Sequence, residues 1–189
     1  PSPGVIRSVK RAVSIPVYVM IRPRGGGFVY SPSEIEAMVE DAMHAADAGA
    51  DGIVVGMLRQ DGTLDSGGLL RVIEAASLPV TFHRAFDEIP VNRMPGVLDE
   101  LAQMPHIERV LTSGGQQNPY LGKQVIADLV KRGRLSIMPG GGVRAEGLRD
   151  LVSQTGVKEI HVGSAAREPQ HPTAPVSEVR VRRLREILG

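Results

Sequence analysis

Short β-branched runs alternate along this chain with longer stretches whose apolar residues recur every three or four positions, the pattern of βα units feeding a parallel sheet. Six runs carry it: Pro16 to Arg24, Asp51 to Leu58, Pro79 to Ala85, Ile107 to Gly114, Leu135 to Gly141 and Lys158 to Ser164. A helix is predicted after each. The clearest starts at Ser31-Pro32-Ser33-Glu34, presents Ile35, Met38, Val39, Ala42 and Ala46 on one face and stops at Gly49. The others are predicted near Gly67 to Ala76, Val91 to Gln103, Leu121 to Arg132, Arg144 to Gln154 and Val176 to Leu188, with a Pro-rich connector from Glu168 to Pro175 before the last. Pro1 to Val13 also opens on helix-start chemistry.

Six units in 189 residues is about 31 residues each, so the eight units of a (β/α)8 barrel need about 250 and the chain looks two strands short. An open, doubly wound sheet is the alternative. Strand polarity favours the barrel. In the first run Val17, Val19 and Ile21 face helices while Tyr18, Met20, Arg22 and Arg24 face inward. Val80 and Phe82 alternate with inward Thr81 and His83, and Ile160 and Val162 with inward His161 and Gly163. Such mixed inward positions suit a lumen better than a face covered by apolar helices. The expected fold is therefore a single α/β domain, residues 1–189, of TIM (β/α)8 type with about six parallel strands present.

Composition changes this picture only by exclusion. Hydrophobic content of 42% is enough for one buried core, and a formal charge of +1 with acids and bases interspersed indicates neither a nucleic-acid footprint nor a basic membrane face. Without cysteine there is no disulfide, thiolate metal site or thiol nucleophile. No run approaches the roughly 20 apolar residues of a membrane span, and no secretory signal is present, so a cytoplasmic protein is the default expectation.

Chemistry in a barrel gathers at the C-terminal ends of the strands. Reading those ends off gives Arg22 and Arg24 with Gly25-Gly26-Gly27, then His83, Arg84 and Asp87, then Thr112 and Ser113, then Gly141, Gly142 and Arg144, and finally Ser164. His83 and Asp87 are the candidate acid-base pair, Asp87 close enough in sequence to orient an imidazole. Arg22, Arg24, Arg84 and Arg144 are candidate anion-binding cations, their guanidinium forks matching carboxylate or phosphate. Gly141, Gly142 and Ser164 resemble a phosphate grip in which backbone N–H groups and a helix N-terminus face an anion. Thr112 and Ser113 are candidate hydrogen-bonding groups for a ligand. His161 reads as structural, and His44, His106 and His171 are not spaced as a metal site. Met20, Met57 and Met138 read as core filler. These residues fit an enzyme or a binder equally.

The strand ends IRPRGGGFVYS, TFHRAFD, LTSGG and GGGVRAEGL, in this order and spacing, resemble the CutC family of copper homeostasis proteins. The resemblance implies an eight-stranded barrel, a cytoplasmic location, a homo-oligomer and Cu(I) as ligand. It also implies that the first β-α-β segment of the barrel, of about 30 residues or more, precedes this sequence, and with it a carboxylate and often a cysteine. With soft thiolates absent here, a copper site is not identified among these residues. Three readings follow: a copper-homeostasis protein that binds Cu(I), a barrel enzyme or binder for an anionic, phosphorylated or carboxylated small molecule, or a structural subunit acting through oligomerisation. An incomplete barrel leaves two unpaired edges, which predicts strand exchange, an extensive oligomer interface or a covering segment not included in this sequence.

Overall fold

The computed structural model describes residues 1–189. Five parallel strands, β1 (Tyr18–Met20), β2 (Gly52–Val55), β3 (Val80–Phe82), β4 (Ile107–Thr112) and β5 (Ser136–Pro139), lie side by side in chain order. Helices α1 (Pro3–Ala12), α2 (Pro32–Asp47), α3 (Ser66–Ala76), α4 (Met94–Leu101), α5 (Lys123–Lys131), α6 (Leu148–Thr155) and α7 (Glu178–Leu188) alternate with them. The sequential order is that of successive βα units, as the hydrophobic pattern indicates.

Capping chemistry sets several of the boundaries. Ser31 accepts the Glu34 N–H while the Glu34 carboxylate accepts the Ser31 N–H, a full capping box with Pro32 in the first turn of α2. Ser2 caps α1 by accepting the Val5 N–H, and Asp65 caps α3 by accepting the Gly68 N–H. Two expectations shift. The sixth run, Lys158 to Ser164, lies beside β5 as an extended segment held by one backbone bond, His161 N–H to Pro139 O at 2.9 Å, rather than as a sixth ladder. The helix expected from Arg144 begins only at Leu148, after Gly147 at φ 75°, so the glycine turn at 140–142 is separated from the helix N-terminus by an irregular loop.

Alternation along the strands puts one side chain in two under the helices. Val19, Ile21, Ile53, Val55, Val80, Phe82, Val110 and Ile137 are buried with Met38, Leu69, Ile73, Leu98 and Ile126 from the helices. At about 1.5–3 kcal/mol for each large apolar side chain removed from water, this layer is the main source of stability. The other set faces a cavity of about 550 Å³ lined by Tyr18, Met20, Val54, Thr81, Arg109, Leu111, Met138, Glu159 and His161. β1 and β5 are not paired with each other, so the lumen stands open on that side. Met57 is core filler as expected, whereas Met20, 44% exposed, and Met138 line the lumen instead.

Candidate functional site

At the C-terminal rim, the turn after β3 is a short 3-10 helix, Arg84–Glu88, which brings Asp87 back over the ends of β3 and β4. The Asp87 carboxylate is the hub of one arc of the rim. Its Oδ1 accepts the Thr112 hydroxyl at 2.5 Å and the N–H groups of Ser113 and Gly115 at 2.9 and 3.0 Å. Its Oδ2 accepts Arg84 Nε–H at 2.7 Å, and Arg84 Nη2 donates to Ser113 Oγ at 3.0 Å. Ser113 is fixed in turn by donating to the Gln116 carbonyl at 2.5 Å. Asp87 is thus committed to holding Arg84 and the β4 turn. Gly141, at φ +84°, lies flat against Arg84: a Cβ there would meet Arg84 Cζ at 2.6 Å. The guanidinium therefore has one seat, its side chain is 41% exposed, and Nη1 has no protein partner. The rim thus carries a fixed cation with a free Nη1 beside a glycine turn.

A second arc joins the ends of β1 and β3. His83 is 3% exposed, and its Nδ1 accepts the Ala85 N–H at 3.1 Å, so in the neutral ring the proton sits on Nε2. Burial, followed by the charge of Arg22, pushes His83 down to about 4. Phe28 sits between the two, its ring 4.8 Å from the His83 ring and 4.5 Å from Arg22 Cζ. Arg22 Nη2 donates to the Gly26 carbonyl, but Arg22 Nε, His83 Nε2 and Tyr30 Oη are buried without any partner. His83 and Asp87 make no hydrogen bond to each other.

The other expected residues fall around these arcs. Arg24 is bound to Glu34 and to the Gly27 and Val29 carbonyls, so it ties the glycine loop to α2. Its hydrogen bond holds Glu34 down to about 2. Arg144 is exposed, stacks over the Tyr120 ring at 5.7 Å, and its backbone is clamped by the Tyr120 hydroxyl through bonds of 3.0 and 2.7 Å. Ser164 lies in a separate 3-10 turn, Ser164–Ala166, with no side-chain hydrogen bond. Gly142 approaches Asn118, whose Cβ would lie 3.3 Å from an added Cβ.

The model of the CutC family matches residues 1–166. The chain belongs to the CutC family. A CutC family protein of Vibrio cholerae is 41% identical over 174 residues, 89% of this chain and 67% of that protein. The human protein named copper homeostasis protein cutC homolog is 43% identical over 164 residues, 85% of this chain and 59% of that protein. In structure, the CutC protein of Streptococcus agalactiae superposes with a TM-score of 0.81 at 36% identity, covering 85% of this chain and 80% of that one. Phosphoribosyl anthranilate isomerase from Thermococcus kodakaraensis superposes at 0.63 with 14% identity over 98% of this chain and 80% of that one, a likeness of fold alone. The barrel-type α/β architecture and the CutC resemblance read from the strand ends are thus both shown.

For copper, the donor set of this CutC chain is specific. No three His, Cys, Asp or Glu side chains cluster in it, and there is no thiolate. Its soft donors, the Met20 and Met138 thioethers and the His161 imidazole, line the same open lumen. Nearby, Arg109 donates to both Glu159 oxygens at 3.0 Å, stacks over Tyr18 at 4.9 Å and lowers the Glu159 pKa by those bonds. This pair was missed in the sequence. A register shift between Val80 and Thr81 sets Arg109, not Glu108, beside Thr81, and period-two counting does not reveal a bulge. Tyr30, Phe28 and Tyr120 were also missed, since loop aromatics carry no periodic signal. The only available clue was their placement in the loops that follow β1 and β4.

Proposed function

We propose that this chain binds an anionic small molecule, phosphorylated or carboxylated, at the C-terminal rim of its sheet, as its cytoplasmic part in the copper homeostasis for which its relatives are named. The observation that carries the reading is the Arg84 guanidinium, fixed by Asp87 and Ser113 against Gly141 with Nη1 left free. Arg144 adds positive charge on the adjoining loop. Since the Asp87 oxygens are already filled by donors, its role is to place Arg84, and proton handling, if the ligand is turned over, falls to His83. The test is thermal shift with inorganic phosphate, pyrophosphate and acetate. At least one raises Tm in the wild type, and the shift is lost in Arg84→Gln and reduced in Arg144→Ala. Identical shifts in all three proteins would overturn the reading.

A second reading, Cu(I) binding, is favoured by the two thioethers and one imidazole that share the lumen, because soft thioether and imidazole donors suit Cu(I) without any thiolate. Anaerobic competition against a Cu(I) chelator tests it. About one ion per chain is expected, lost in Met20→Leu combined with Met138→Leu, and no uptake above that variant would sink it. Self-association is proposed as well, since β1 ends the sheet unpaired and β5 meets the sixth run through only one backbone bond. Sedimentation at two concentrations distinguishes an assembly from a monomer.

A further inference from the structure

A buried donor without an acceptor loses its water and gains nothing in return, so each such atom in a folded protein calls for a physical reason. Only four buried side-chain polar atoms in this chain lack a partner, and three of them, Arg22 Nε, Tyr30 Oη and His83 Nε2, belong to the β1–β3 arc of the rim. They share a chemical sense. Arg22 Nε can only donate, His83 Nε2 is the donor nitrogen because Nδ1 accepts the Ala85 N–H, and the Tyr30 phenol, whose oxygen faces the Arg22 guanidinium, has its O–H left to donate. The cluster holds more donor hydrogens than acceptors. Phe28 packs on both Arg22 and His83, and Phe82 lies 6.2 Å from the His83 ring, so the walls are aromatic.

Charge narrows the class. Arg24, which stacks over Tyr30 at 5.0 Å, is neutralised by Glu34, and His83 is neutral at pH 7, so Arg22 is the one uncompensated charge. Arg22 is half-buried with its Nε out of water, beside buried His83 and Tyr30, and one positive charge there matches one negative charge. A phosphate dianion would leave a surplus charge against the buried His83 and Tyr30, whereas a carboxylate balances Arg22 and offers lone pairs on two oxygens.

We infer that Arg22, Tyr30 and His83 form a monocarboxylate-binding subsite closed by the glycine loop Gly25-Gly26-Gly27. The loop folds back onto Arg22, whose Nη2 donates to the Gly26 carbonyl. Gly25 and Gly27 touch nothing a Cβ would meet within 4 Å, so close packing does not require glycine at either position. What glycine adds there is backbone freedom, which a covering loop needs in order to open and admit a ligand. The inference deepens the anion-binding reading and rests on it: the exposed Arg84 arc meets the charged end of the ligand, and this arc receives a carboxylate on a less hydrated stem.

The test is an NMR titration of the full chain with acetate and, separately, inorganic phosphate, following the His83 Nε2–H and the Tm of each variant. Acetate is expected to shift that resonance and phosphate to leave it in place. Tyr30→Phe removes one unpaired oxygen, so its Tm stays level or rises while its affinity for acetate falls about fivefold or more. Arg22→Gln loses acetate binding by more than about tenfold. No acetate response in the wild type, equal acetate affinity in Tyr30→Phe, or preference for phosphate at His83 overturns the inference. The two readings fail separately. If Arg84→Gln abolishes phosphate binding while Tyr30→Phe leaves acetate unchanged, the rim reading stands and this subsite falls. If acetate behaves as expected and phosphate binding ignores Arg84→Gln, the reverse holds.

Discussion

The two arcs of the rim are built from the same residue types and are satisfied in opposite ways. Around Asp87, every acceptor lone pair in reach has a donor, and the cation it holds is partly exposed with a free Nη1. Around His83, three donors are buried with nothing to donate to. On the proposed anion-binding reading, the contrast separates two tasks that sequence alone assigned to one site: a saturated network to fix a charge in advance of the ligand, and an unsaturated cluster whose desolvation cost the right ligand relieves.

The largest expected effect comes from breaking the saturated arc. Asp87→Ala leaves the Thr112 hydroxyl and the Ser113 and Gly115 N–H groups without their acceptor and frees Arg84, and should cost about 3–5 kcal/mol in urea denaturation. A loss below about 1 kcal/mol would mean that the network does not hold the β4 turn.

Next is the pH response of the unsaturated arc. His83 lies at about 4 when folded against its ordinary 6.5, so between those values the unfolded chain binds the extra proton. Stability therefore rises with pH across that window, by on the order of 3 kcal/mol from below the folded value to above the unfolded one. The rise should shrink in His83→Gln. Equal slopes in the two proteins would remove His83 from the buried arc.

Gly141→Ala comes third. It forces a side chain onto φ +84° and into Arg84 Cζ, for about 1–3 kcal/mol and a weaker phosphate response. The smallest effect, about 1 kcal/mol or less and in the stabilising direction, belongs to Tyr30→Phe. Opposite signs for Gly141→Ala and Tyr30→Phe would sharpen the contrast between the arcs, and destabilisation by both would blur it.

Much of the fold was legible because it rests on short-range signals. The capping box at Ser31 and Glu34 and the alternation that buries Val19 and Ile21 opposite lumen-facing Tyr18 and Met20 can be read without a structure. The sixth strand was not, since Lys158 to Ser164 has the period of a strand but makes only one bond to β5. Site residues were legible as members of a rim but not as partners. Asp87 and His83 are four apart in the chain, yet the 3-10 turn carries Asp87 toward Thr112 and Ser113, and His83 turns toward Phe28. Arg22 and Arg24 look equivalent in sequence, but only Arg24 meets a carboxylate, Glu34, supplied by the helix cap that follows the glycine loop.

The central claim is that this rim takes an anion on a preset cation. Amide and arginine side-chain NMR of the full chain, titrated with inorganic phosphate, tests it most directly. The account expects saturable shifts at the Arg84 guanidinium and at the Gly141 and Gly142 amides. Shifts confined to the surface arginines of α7, Arg180 to Arg185, or no saturation at all, would contradict it.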